Sequence, residues 1–223
     1  MSLLPQYTHI INPRLKHIYL TFDNEGNLII KSPKVHQRKI EQILLKKASW
    51  INSSREKLQR KKGKTLDFTG VLELYFMGRA YPLCLTLHNK KKVALDFDGE
   101  KFTLFYHTYN ETLFHAHIDR FYKKEAQTYI PAHVKFWAEK MCLCPADTRF
   151  RKTRRQWGSC SAKNVLSFNT MMMKLPHDVI QYIIVHELAH IKHKHHQKDF
   201  WQLVENYLPE YKTHVNTLKN YTT

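Results

Sequence analysis

Apolar and polar residues alternate over 18–22 and again through Leu28-Ile29-Ile30. Asn24-Glu25-Gly26-Asn27 lies between them as a turn, so the pattern predicts a β-hairpin. The period then lengthens. After Pro33, residues Ile40, Ile43, Leu44, Lys47, Ile51 and Leu58 trace one face of a long basic helix. Trp50 on that helix reads as a core or interface residue. Gly63 ends it, and 60–65 reads as a linker.

Four short strands follow, at 71–76, through Tyr81, Leu83, Leu85 and Leu87, through Val93, Leu95 and Phe97, and through Phe102, Leu104 and Tyr106. With Gly78 and Gly99 at turns they predict an antiparallel meander, and none of them carries chemistry. A helical pattern runs from about Asn110 to Met141 through Phe114, Ile118, Phe121, Tyr122 and Ala126, and Pro131 is expected to kink or divide it. Strands at 148–152 and 165–170 are joined across Gln156-Trp157-Gly158-Ser159-Cys160-Ser161. Phe200, Leu203, Val204, Tyr207 and Leu208 mark a last amphipathic helix that Pro209 ends. The elements divide as 1–64, hairpin plus basic helix, 65–109, meander, and 110–223, a helical domain with a small sheet. The expected fold class is α+β.

The chemistry lies in a helix predicted from Pro176 to about His193. Ile180, Ile184, Leu188 and Ile191 form its buried stripe, while Asp178, Gln181 and Lys192 point to solvent. His186 and His190 share an arc with Val179 and Ile183 at the edge of the buried side. Residues four apart lie only about 40° apart around a helix, so both imidazoles can hold one metal ion. Glu187, one step away, is placed to act on water there as a general base. His196 supplies a third ligand six residues past the second histidine, which leaves one tetrahedral position open, as a catalytic zinc requires. With 15 histidines in 223 residues, about 0.05 such His-Glu-x-x-His strings would arise by accident. His115 and His117, two apart on a helix, face different sides and do not make a metal pair. Ser159 and Cys160 lack a matching base and do not read as nucleophiles.

Composition adds bounds. A hydrophobic fraction of 43% and an aromatic fraction of 13% give a globular chain. Its apolar runs are too short to cross a bilayer, and its first residues carry no secretory signal. Cys84, Cys142, Cys144 and Cys160 are too few and irregular for a disulfide framework, which suits reduced thiols in a cytoplasm; Cys142 and Cys144 read as packing residues. The net charge of +17 suits an acidic partner, including nucleic acid. Most of its lysines are scattered, whereas Arg149, Arg151, Lys152, Arg154 and Arg155 are concentrated.

Trp157-Gly158-Ser159-Cys160-Ser161, Ser167-Phe168-Asn169, Pro176, and His186-Glu187-Leu188-Ala189-His190 with His196, Phe200 and Trp201 resemble the YgjP-like metallopeptidase domain. That family is related to the SprT and WLM groups of small zincins. The resemblance is strongest over 147–212 and extends more weakly to the hairpin, to Trp50-Ile51 and to Gly78-Arg79. It implies a zincin-like C-terminal domain, zinc on His186, His190 and His196, and Glu187 as general base. Two positions depart from the family: Gln156 stands where it usually shows Arg, and Met171 where a second arginine is common. The expected reaction is cleavage of a peptide or protein substrate, with the strand at 165–170 pairing to its backbone. His195, Tyr211 and Arg155 are the candidates for holding the oxyanion. Two alternatives stand beside it: a UTP-type nucleotide pyrophosphatase, and a protease acting on nucleic-acid-bound proteins.

Overall fold

The computed structural model describes residues 5–23, 26–59, 64 and 66–223. The chain forms two compact units, 1–61 and 62–223, and its architecture is α+β with small sheets. In the first unit the expected hairpin forms from β2 (Tyr19–Phe22) and β3 (Leu28–Ser32), while residues 24–25 of its turn lie outside the described residues. An unforeseen strand, β1 (Tyr7–Ile11), pairs parallel with β3 and makes β3 the centre of the sheet. Its alternation is masked because Ile10 and Ile11 are both exposed.

The long basic helix is two helices, α1 (Gln37–Lys46) and α2 (Ala48–Gln59), and it starts at Gln37 and not at Pro33. Lys47 breaks it at φ −104°, ψ 8°, with its N–H still bonded to the carbonyls of Ile43 and Leu44. One apolar face survives the break, since Ile40, Leu44 and Ile51 close over Leu28 and Ile30 as the core of this unit. Trp50 is 45% exposed and leans on Phe22. Of the expected linker, 60–63 and 65 lie outside the described residues.

The second unit begins with β4 (Glu73–Phe76), β5 (Arg79–Leu87), β6 (Ala94–Phe97) and β7 (Phe102–Tyr106). They do not form a meander. The order is β4-β5-β7-β6, with β7 parallel to β5. Burial accounts for the swap: Phe102 and Leu104 are wholly buried and take β7 inside, while β6, alternately exposed, is left at the edge. Helix α3 (Glu111–Met141) is capped by Asn110, whose Oδ1 accepts from the N–H of Leu113 at 3.1 Å. It buries Phe114, Ile118, Tyr122, Ala126, Ile130, Val134, Trp137 and Met141 in the same core as Leu83, Phe102 and Leu104. Pro131 does not divide it. The proline is on the exposed face of the helix.

A second sheet follows, with order β8-β10-β9, from β8 (Asp147–Arg151), β9 (Gly158–Cys160) and β10 (Val165–Asn169). The connection between the two expected strands therefore contributes a strand of its own. A buried 3-10 turn, Thr170–Lys174, then leads into α4 (His177–Lys192). The β4–β5 turn fixes this entrance. Met77 N–H donates to Met173 O at 2.8 Å and Gly78 N–H to Lys174 O at 3.2 Å. Gly78 has φ +84°, and a Cβ there would lie 2.9 Å from the Cα of Pro176, so only glycine fits.

Helix α4 is packed against α3, β9, α5 (Lys198–Tyr207) and α6 (Tyr211–Leu218). Gln181, expected in solvent, is buried and accepts from Trp137 Nε1 at 2.6 Å, because a helix enclosed on several sides has no water face there. Helix α6 was not foreseen past Pro209; it buries only Tyr211 and shows little periodicity. The four cysteines are free, and Cys142 and Cys144 are exposed, not packed. Cys142 ends α3 in the left-handed conformation, φ 53°. No helix among the described residues is long and apolar enough to cross a membrane.

Lys174 is nine-tenths enclosed, and its burial, reinforced by nearby Lys152, lowers its pKa to about 8. The unfolded chain then binds more protons than the folded one between about pH 8 and 10.5, so this lysine adds stability as pH rises through that window. Denaturant unfolding should show wild type gaining about 2 kcal/mol on Lys174→Met from pH 8 to pH 10. A constant difference between the two proteins would refute it.

Candidate metal centre

His186 and His190 stand one turn apart on α4, and His196 sits in the loop 193–197 that returns to α5. His196 Nε2 lies 3.0 Å from His186 Nε2 and 3.1 Å from His190 Nε2. A tetrahedral ion with metal–nitrogen bonds of about 2.0–2.1 Å needs nitrogens about 3.3 Å apart. The donor set fits zinc. Among the described residues, this is the cluster of histidine, cysteine or carboxylate side chains able to hold an ion.

The rings reach this point because they are packed from behind. Phe200, wholly buried, lies with its centroid 4.9, 4.5 and 4.8 Å from those of His186, His190 and His196. Trp201 stacks on His196 at 5.6 Å, and Tyr211 stacks on Trp201 at 5.3 Å. The far nitrogens of the two helix histidines also have neighbours. His190 Nδ1 donates to the carbonyl of His193 at 2.9 Å, which leaves Nε2 as the lone-pair atom. The Tyr182 hydroxyl lies 3.3 Å from His186 Nδ1.

Burial sets the charge state of the site. It lowers His186 to about 3, with His190 and His196 adding to the effect, so the imidazole is a neutral donor at pH 7. His190 is lowered for the same first reason. Glu187 is buried, and burial raises its carboxyl to about 8. A carboxyl so desolvated holds a proton far better than one in water.

Gly158 of β9 makes room for Glu187. A Cβ on Gly158 would lie 2.6 Å from both Cγ and Oε1 of Glu187. Buried Asn169, at the end of β10, secures the approach to β9: its Nδ2 donates to the carbonyls of Thr153 at 2.8 Å and Gln156 at 3.0 Å, and its Oδ1 accepts from Met171 N–H at 3.0 Å. Neither Gly158 nor Asn169 was assigned a role from sequence. The Trp-Gly-Ser-Cys string pointed at this stretch, but which atom it crowds depends on how β9 lies across α4.

Other sequence candidates fall elsewhere. His115 packs on Phe68, apart from the cluster. Ser159 Oγ accepts from Arg151 at 3.0 Å, and burial raises the Cys160 thiol, so neither is an activated nucleophile. Lys152 pairs with Asp119 and Arg149 with Asp147, which engages part of the basic run locally. Tyr211 is buried behind Trp201, and His195 and Arg155 are exposed; none of the three is hydrogen-bonded to the triad. The expected peptide-pairing strand is corrected outright: β10 is central, with β8 on one edge and β9 on the other.

Residues 16–221 match the YgjP-like metallopeptidase domain. The chain belongs to that family. Membership places it among metal-dependent hydrolases. A UTP pyrophosphatase of Escherichia coli (strain K12) is 39% identical over 59 residues, which is 26% of this chain and 35% of that protein. The chain thus matches about a third of that relative's length. Two solved metallopeptidase zymogens are also similar. Abylysin of Pyrococcus abyssi gives a TM-score of 0.38 at 20% identity, over 42% of this chain and 99% of its own. Jannalysin of Methanocaldococcus jannaschii gives 0.35 at 22%, over 39% and 93%. Likenesses at that level carry no weight for the site.

Gly158→Ala should displace Glu187 while leaving the triad in place. We expect bound metal to stay at the wild-type level and turnover to fall about 100-fold, the cost of misplacing a reacting group by about 1 Å. Unchanged turnover would show that Glu187 tolerates the crowding.

Proposed function

We propose that the chain is a zinc-dependent peptidase in which His186, His190 and His196 hold the ion and Glu187 is the general base. The observation that carries this reading is the meeting of three Nε2 atoms beside a buried carboxyl on the same helix. Zinc bound there would activate water and polarise a substrate carbonyl. The residues of the chain supply the rest. Glu187 accepts a proton from the attacking water at a carboxylate oxygen and returns it to the departing amine. Phe200 and Trp201 hold the imidazoles against rotation, and the His193 carbonyl fixes the His190 tautomer.

The substrate backbone belongs on β9. Trp157 O and Ser161 N are bonded to β10, at Asn169 and Val165. By the alternation of an antiparallel pair, the backbone groups of Gly158 and Cys160 face the other way. They offer an extended peptide a strand to pair with, next to Glu187. The relative named as a UTP pyrophosphatase supports a second reading, in which the same centre hydrolyses a nucleotide.

Elemental analysis should find about one zinc per chain, lost in His186→Ala and His196→Ala. Glu187→Gln should retain zinc and lose between about 100-fold and 10,000-fold in hydrolysis. Casein and UTP, each incubated with and without chelator, separate the readings: chelator-sensitive cleavage of casein alone supports the peptidase, and of UTP alone replaces it.

A further inference from the structure

Two of the three ligand positions belong to a helix, and the third does not. His196 is exposed in the loop 193–197, whose backbone anchors are His193 N–H to Ala189 O at 2.9 Å and Gln197 N–H to His195 O at 2.9 Å. Both bonds are local, and neither ties the loop to the sheet. Lys194 does. Its Nζ donates to Asn164 Oδ1 at 2.6 Å and to Ser161 O at 3.0 Å, and it lies 3.7 Å from Cys160 Sγ. All three acceptors belong to the end of β9 or to the turn between β9 and β10.

That turn is itself well determined. Asn164 adopts φ +58°, a left-handed conformation that asparagine tolerates better than most residues, and its N–H bonds to Ser161 O at 3.0 Å. Its carbonyl accepts from Ala146 N–H at 2.9 Å, just before β8. The side-chain oxygen is thereby aimed from a fixed backbone, and the lysine reaches a rigid acceptor. β9, at the other end of the same hairpin, presses Gly158 against Glu187.

We infer that Lys194 is a positioning residue: a latch that fastens the His196 loop to the β9–β10 hairpin and so sets the third ligand against the two on α4. This rests on the zinc reading proposed above. A short ammonium-to-amide bond on an exposed side chain adds little to global stability, because water competes for both partners. Its effect falls on the loop, where it reduces the conformations His196 must give up on binding metal. The hairpin then sets both His196, through Lys194, and Glu187, through Gly158.

The test is metal affinity, measured by competition with a chromophoric chelator for zinc, in wild type, Lys194→Met and Asn164→Gly. Glycine keeps the left-handed turn and removes the acceptor, so the two variants delete opposite halves of one bond. Each should bind zinc about 10-fold more weakly than wild type, the lower end of the range for residues that orient a ligand from behind. The double variant should be no worse than either single one. Cobalt(II) loaded in place of zinc should show a weaker, shifted visible spectrum in the variants, and the metal-free thermal midpoints should match wild type. Wild-type affinity and spectrum in both variants would overturn the latch and leave the zinc reading intact. Failure of wild type to bind zinc or cobalt would overturn both.

Discussion

A carboxyl buried on the helix that carries two of three clustered imidazoles is costly, and the second unit is arranged around holding it. Glu187 lies on the same helix as ten buried residues counted with itself, and α4 meets α3, α5, α6 and β9. Removing the carboxyl and His186 from water moves their pKa values apart from their ordinary range in opposite directions, to about 8 and about 3. Each shift favours the neutral form. Both groups are held there by packing.

Packing on this scale needs supports from distant parts of the sequence. The β4–β5 turn, 96 residues upstream, is bonded to the turn that leads into α4 and excludes any side chain at Gly78. Phe200 and Trp201 come from α5 and seat all three imidazoles. The edge strand β9 brings a glycine to the one place where a methyl group would strike Glu187. These are contacts of shape. They hold the three imidazoles and the Glu187 carboxyl in place from behind.

The basic surface has a plainer role in the structure than its charge suggested. Lys152 and Arg149 are satisfied by Asp119 and Asp147, and Arg151 bonds to Ser159 in β9. Exposed pairs of this kind contribute little stability, yet they place the cations beside the second sheet. Lys194 follows the same pattern at a more consequential point.

Local pattern was enough to place the helix that carries His186, Glu187 and His190, and the positions of most strands. Helical spacing alone brings two imidazoles together, because i and i+4 share a face whatever the rest of the chain does. What alternation could not show was strand order: whether β7 or β6 takes the interior depends on which face α3 covers, and Phe102 and Leu104 settle it only once packed. The split at Lys47 and the burial of Gln181 escaped for the same reason, since periodicity gives a face but not what lies against it. The meeting of Gly158 with Glu187 and of Lys194 with Asn164 joins residues about 30 apart in sequence. Only the tertiary structure brings such pairs within contact, because no rule of local spacing relates a strand edge to the helix that packs across it.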